Sequence, residues 1–183
     1  MKKICLDPGH GGKDAGADGP TGLNEAPVVL EICHYMKPAL ESFGLSVKMT
    51  RTTEIFVELG ARCAIANEWG ADYFLSVHLN SDGPSAEGVE TLYASEAGRA
   101  LAEPLQAAVL SATGDRDRGL VRRGNLYVLN GTRCAAALSE LAFVSHPEHE
   151  AKLRSTEYKQ LLAWALVMGL AKFLNIPTST QPK

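Results

Sequence analysis

The sequence predicts one α/β domain: a twisted central sheet of about six strands, mostly parallel or mixed, with helices on both faces. Three observations carry this. Short apolar runs alternate with longer segments whose apolar residues recur at helical spacing. The run Tyr73-Phe74-Leu75-Ser76-Val77-His78-Leu79 is apolar enough to be a central strand buried on both faces. The opening run Lys3-Ile4-Cys5-Leu6-Asp7 breaks off at Pro8-Gly9-His10-Gly11-Gly12, the pattern of a buried strand entering a tight turn.

Taken in order, the first strand is followed by a polar, glycine-rich loop over 11–24, long enough to be functional. Asn24 is a suitable N-cap and Pro27 suits a first turn. Val29, Ile32, Cys33, Met36, Leu40 and Phe43 then give one apolar face, with Pro38 inside and Gly44 as the stop. Residues 45–50 alternate as a strand, 57–69 form a helix ended by Gly70, and 73–79 form the third strand. Residues 89–93 read as a strand and 98–112 as a helix closed by Gly114. The charged stretch 115–123 reads as a loop, 126–129 and 135–141 as strands, and 156–174 as a long C-terminal helix. Residues 1–175 then make one domain. Residues 176–183, rich in Pro, Ser and Thr, read as a linker-like tail that suggests a further domain.

Bulk properties narrow the function. The 183 residues suffice for one real core, and the formal net charge of −3 without a basic run argues against nucleic-acid binding. No apolar stretch is long enough to insert in a membrane. Asp7 and Pro8 interrupt the N-terminal apolar run too early for a signal peptide, so the protein is expected to be made in the cytoplasm. Cys5, Cys33, Cys63 and Cys134 are too scattered for a Cys zinc knuckle and read as reduced thiols, mostly buried.

In parallel-type sheets, sites gather at the carboxyl ends of strands. His10 ends the first strand, His78 the third, and Glu140 lies near the end of the late one; Glu25 opens the first helix. Singly, each is compatible with a structural role. Together, two imidazoles and a carboxylate form the ligand set of a catalytic zinc with an open position, and a further carboxylate could act as base. Asp7 reads either as a partner orienting His10 or as a turn-forming residue before Pro8. Asn80, two residues beyond His78, reads as a substrate contact on the same side of the strand. His34, Glu87, Glu90, Arg122 and Arg123 read as solvated surface groups, and His146 and His149 as loop residues around Pro147.

The segments Leu6-Asp7-Pro8-Gly9-His10-Gly11-Gly12-Lys13-Asp14-Ala15-Gly16, Asn24-Glu25, Ser76-Val77-His78-Leu79-Asn80-Ser81 and Leu138-Ser139-Glu140-Leu141 resemble, in order, motifs of the zinc-dependent N-acetylmuramoyl-L-alanine amidases of the third type. The resemblance spans about residues 3–172, through Thr50-Arg51-Thr52, Leu59-Gly60-Ala61-Arg62, Gly88-Val89-Glu90-Thr91 and Leu126-Tyr127-Val128-Leu129. It departs at Ala142 and His146, where the family usually has Gly and Asn. It implies one Zn²⁺ held by His10, Glu25 and His78, with Glu140 as the catalytic carboxylate. It further implies peptidoglycan as substrate and action on the bacterial wall, in the manner of an endolysin released through holin-type pores or of an autolysin, with the 176–183 tail leading to a cell-wall-binding domain. The readings set against it are a zinc carboxypeptidase-like peptidase and a non-catalytic wall-binding module.

Overall fold

The computed structural model describes residues 1–177. Six strands form one mixed sheet: β1 (Lys3–Pro8), β2 (Ser46–Met49), β3 (Tyr73–Asn80), β4 (Val89–Tyr93), β5 (Asp117–Arg122) and β6 (Ala135–Phe143), in spatial order β2-β1-β3-β6-β4-β5. β2, β1, β3 and β6 run parallel; β4 is antiparallel to β6, and β5 parallel to β4. The helices are α1 (Glu25–Ser42), α2 (Leu59–Trp69), α3 (Glu96–Thr113), α4 (Tyr127–Gly131), α5 (Pro147–Leu153) and α6 (Thr156–Phe173).

The period-2 alternation of the strands divides the core in two. Ile4, Leu6, Leu75 and Val77 face the larger cluster, which they share with α1, α3 and α6. Cys5, Phe74, Ala136 and Leu138 face the smaller one, closed by Cys63 and Ala66 of α2 and Val128 and Leu129 of α4. All four cysteines are free thiols, and only Cys134 is not fully buried.

Three elements differ from the sequence reading. The charged stretch is not a loop: Asp117–Arg122 is the edge strand β5. Arginines along an exposed edge mask the strand pattern while discouraging pairing with other chains. Residues 126–129 are not a strand: a short apolar run is ambiguous by periodicity, and this one folds as α4, packing Val128 and Leu129 against α2. Residues around Pro147 form α5, with the proline in the first turn where its missing N–H costs nothing. The strand count holds, but its membership changes. At the other end, Ile176 packs on the larger core cluster rather than standing off as linker. The rest of the expected tail, 178–183, lies outside the described residues.

Candidate active site

The site is built on the β1 turn. His10 sits at φ 56°, in the left-handed region that few side chains other than glycine enter. Two buried arginines hold it there. Arg51 donates Nε to Pro8 O (3.0 Å) and Nη2 to Gly9 O (2.7 Å). Arg62 donates Nη1 to Pro8 O (2.7 Å) and Nη2 to His10 O (2.6 Å). Three successive carbonyls are thus fixed by guanidinium groups that fold onto the turn. Gly9 is required for a different reason: a Cβ there would lie 2.2 Å from the His78 ring. Gly16, at φ +73°, similarly abuts Glu25 and His10.

The structure brings His10, Glu25 and His78 together, as the sequence indicated. One ligand atom from each lies within 4.8 Å of the others, and among the described residues no other such group occurs. Glu25, 2% exposed at the start of α1, uses both oxygens. Oε1 contacts His78 Nδ1 (2.9 Å) and accepts from Leu79 N (2.8 Å). Oε2 contacts His10 Nε2 (3.2 Å) and accepts from Ala17 N (3.0 Å). The imidazole centroids are 4.9 Å apart, edge to face. The hydrogen bond to Glu25 pushes His10 up to about 9 against the opposing effect of burial. Burial likewise opposes the rise at His78, and Glu25 overcomes it. Glu25 itself is held well below the usual carboxylate range, because both imidazoles outweigh its desolvation. In this form the proton charge of His10 balances a buried anion. A divalent cation would do so with the same donor atoms, and two imidazoles with one carboxylate are a donor set that zinc accepts.

Glu140 is the direct register partner of His78 on the neighbouring strand, but is not a member of that cluster. Its Oε2 is buried with no hydrogen-bond partner. Burial, reinforced by the charges of Glu25 and Glu90, pushes Glu140 up to about 7. An orphaned, desolvated carboxylate facing a cation-competent cluster is a functional-site signature.

One expectation needs correction. Asp7 does not orient the His10 ring. Its carboxylate accepts from Thr50 Oγ1 (2.6 Å), Arg62 Nη1 (2.8 Å) and Ser76 Oγ (2.7 Å), so it reaches His10 only through Arg62 and the backbone. The carboxylate on His10 Nδ1 is Asp14 Oδ2, at 2.9 Å. Its position four residues after the histidine was the available signal. Asn80 stays on the His78 side of β3: Leu75, Val77 and Leu79 keep facing the larger cluster, and the extra residue at the register shift belongs to β6. Its Nδ2 donates to Glu90 Oε1 (2.8 Å), and Glu90 also holds Arg118 Nε (3.3 Å). Sequence reasoning missed Arg118 and treated Glu90 as solvated. His149 is no loop residue: it is buried in α5 and its Nδ1 accepts from Phe143 N (3.1 Å). His34, Arg122 and Arg123 are exposed, as expected.

Beside His10 and His78 lies a cavity of about 460 Å³ with largely apolar walls that include Phe56, Val57, Leu59, Tyr127 and Leu138. Leu59 and Tyr127 are more than half exposed at its rim.

The profile of the N-acetylmuramoyl-L-alanine amidases matches residues 4–172. The chain belongs to that family. A sporulation-specific N-acetylmuramoyl-L-alanine amidase of Bacillus subtilis is 35% identical over 181 residues, covering 96% of this chain and 69% of the relative. An endolysin of Bacillus phage SPP1 is 34% identical, covering 96% and 67%. Among solved structures, the amidase AmiC2 of Nostoc punctiforme superimposes with a TM-score of 0.91 at 35% identity, over 95% of this chain and 97% of the other. The catalytic domain of the amidase CwlV from Bacillus (Paenibacillus) polymyxa gives 0.92 at 32% identity, over 97% and 100%. The amidase fold therefore spans nearly the whole described chain. Among the described residues no helix is long and apolar enough to cross a membrane.

Proposed function

We propose that the protein is a zinc-dependent amidase of the bacterial wall. It hydrolyses the amide joining the lactyl group of N-acetylmuramic acid to L-alanine in peptidoglycan. The observation that carries this reading is the pairing of a buried His10–Glu25–His78 cluster with an orphaned carboxylate oxygen of Glu140 on the adjacent strand. His10, Glu25 and His78 would hold the metal, and Asp14 fixes the His10 ring through Nδ1. Bound zinc supplies a Lewis acid for the carbonyl and makes water a stronger acid.

Glu140 does the proton work. A value near 7 suits a group that must take a proton and return it at neutral pH. Its free Oε2 accepts a proton from the attacking water and hands it to the nitrogen of L-alanine as the carbon–nitrogen bond breaks. No Ser or Cys nucleophile is required. Residues 1–175 are the catalytic domain in this proposal, and the wall is where it acts, in the manner of an endolysin or autolysin.

Mass spectrometry of fragments released from purified sacculi, with and without a chelator, tests it. The expected products are free L-alanine amines with unchanged glycan reducing ends, suppressed by the chelator. Release of internal stem amino acids would indicate a peptidase instead, and no release would indicate a binding module.

A further inference from the structure

The polar corner beyond Glu140 has no role in that chemistry. β4 runs antiparallel to β6, so Glu90 sits directly opposite Glu140. Asn80 and Arg118 close on Glu90 from either side. The Arg118 guanidinium lies 4.8 Å from the centroid of the buried Phe143 ring, at the end of β6. Only one edge of the fork is engaged well: Nε meets Glu90 Oε2 at 3.3 Å, and Nη1 reaches Glu87 O at 3.5 Å, the limit of a hydrogen bond. Among the described residues, Nη2 has no partner. The side chain is one-third exposed. This is a cation fixed in place by an aromatic face and one carboxylate, with donors left for a third group.

We propose that Arg118 recognises a carboxylate carried by the residue that follows L-alanine in the peptide, and so sets which way the substrate lies across the site. This rests on the amide-hydrolase reading above.

The distances agree. Glu140 and Glu90 are on neighbouring strands and Arg118 is on the next, which places the guanidinium about 5–10 Å from the Glu140 carboxylate at one to two strand spacings. Glu140 meets the leaving nitrogen. A carboxylate on the following residue lies about 7 Å from that nitrogen at ~3.5 Å per extended residue.

The chemistry agrees as well. Once its lactyl carboxyl is tied up in the scissile amide, the muramoyl side carries hydroxyls, an acetamido group and methyls, but no anion. The peptide side carries carboxylates. Arg118 is absent from the apolar cavity beside His10, where the exposed face of Tyr127 suits a neutral sugar. A planar fork with two free donors matches a carboxylate better than a hydroxyl. The two sides of the site therefore differ in the way the two sides of the scissile bond differ.

Glycan strands bearing L-alanyl-D-glutamyl stems, and the same strands after conversion of their carboxylates to carboxamides, provide the test. The wild-type protein should favour the carboxylate form by about tenfold in kcat/KM, the scale of one charge-assisted hydrogen bond at a partly exposed site. Arg118→Gln should bring that ratio close to one, and Arg118→Lys should keep part of it. If Arg118 merely braces Glu90 and Glu140, both substrates slow together and the ratio survives, which overturns the proposal. Equal cleavage of both forms by the wild-type protein overturns it too, while leaving the amidase reading intact. Cleavage of neither overturns both.

Discussion

Replacing Asp7 with Asn removes one charge from the polar core under the β1 turn and changes almost nothing in size. Asp7 and Arg62 are 1% and 3% exposed and meet at 2.8 Å. The arginine keeps three carbonyl acceptors, Val57, Pro8 and His10, so it stays hydrogen-bonded but loses its only anion among the described residues. Breaking a buried pair in this way costs about 3–5 kcal/mol, because one charge is left without a counter-charge. The retained carbonyls put Asp7→Asn at the lower end, about 3 kcal/mol. For a domain of this length that lowers Tm by roughly 6–12 °C. Thermal unfolding followed by circular dichroism, in chelator so that bound metal adds nothing, measures it. Arg62→Met alone should cost as much, since it strands the carboxylate. The double variant should cost clearly less than the two single losses added, because it leaves no lone charge. A Tm within about 2 °C of wild type for Asp7→Asn, or strictly additive losses, would refute the reasoning.

Other consequences follow from the same geometry. Glu140→Gln should leave metal content and Tm near wild type, while turnover on sacculi falls by about 10²-fold or more, the usual scale for losing a general base. Loss of metal together with activity would make Glu140 a ligand. His10→Ala combined with His78→Ala should abolish stoichiometric zinc binding in metal analysis of the purified protein, and zinc retained near one per chain would remove the assignment. Glu150, buried in α5, accepts from the amides of Thr21 and Leu23 and pins the loop ahead of Glu25. Desolvation raises its pKa, but these bonds and Arg154 hold it below the ordinary value. Its stabilisation is therefore complete above the unfolded value of about 4.3 and lost as pH falls through the lower folded one. Urea titrations should show Glu150→Gln less stable than wild type at pH 7, with the gap closing below about pH 4; a gap independent of pH would count against the clamp.

Much of the site could be read from the chain because its ligands punctuate strands. His10 and His78 interrupt apolar runs at their carboxyl ends, and that interruption is visible without coordinates. Part of what the chain concealed comes from partners chosen across the fold. Asp14, not Asp7, meets His10, because Asp7 points into the interior where Arg62, Thr50 and Ser76 surround it. The Asn80–Glu90 hydrogen bond joins β3 to β4 past the intervening β6, a contact no local pattern announces. Arg118 hid in a stretch whose charge density suggested loop, since edge strands carry charges that central strands cannot. The helix α4 was misread because four apolar residues show no period of their own.

The same non-local logic explains why so much polar machinery surrounds a small cluster. His10 at positive φ, Glu25 between two imidazoles, and Glu140 with an unpartnered oxygen are each unfavourable on local grounds. They persist because rigid neighbours over-determine them. Arg51 and Arg62 hold the carbonyls of the turn, backbone amides of Ala17 and Leu79 fix Glu25, and β3 and β4 flank Glu140 on both sides. The cluster itself is assembled where β1, β3 and the start of α1 meet, and β6 brings Glu140 beside it. A cation that binds it would select the folded state alone and return part of the strain as stability. Glu140 is the exception: among the described residues the charges of His78 and His10 offset its desolvation only in part, and a proton would relieve the rest.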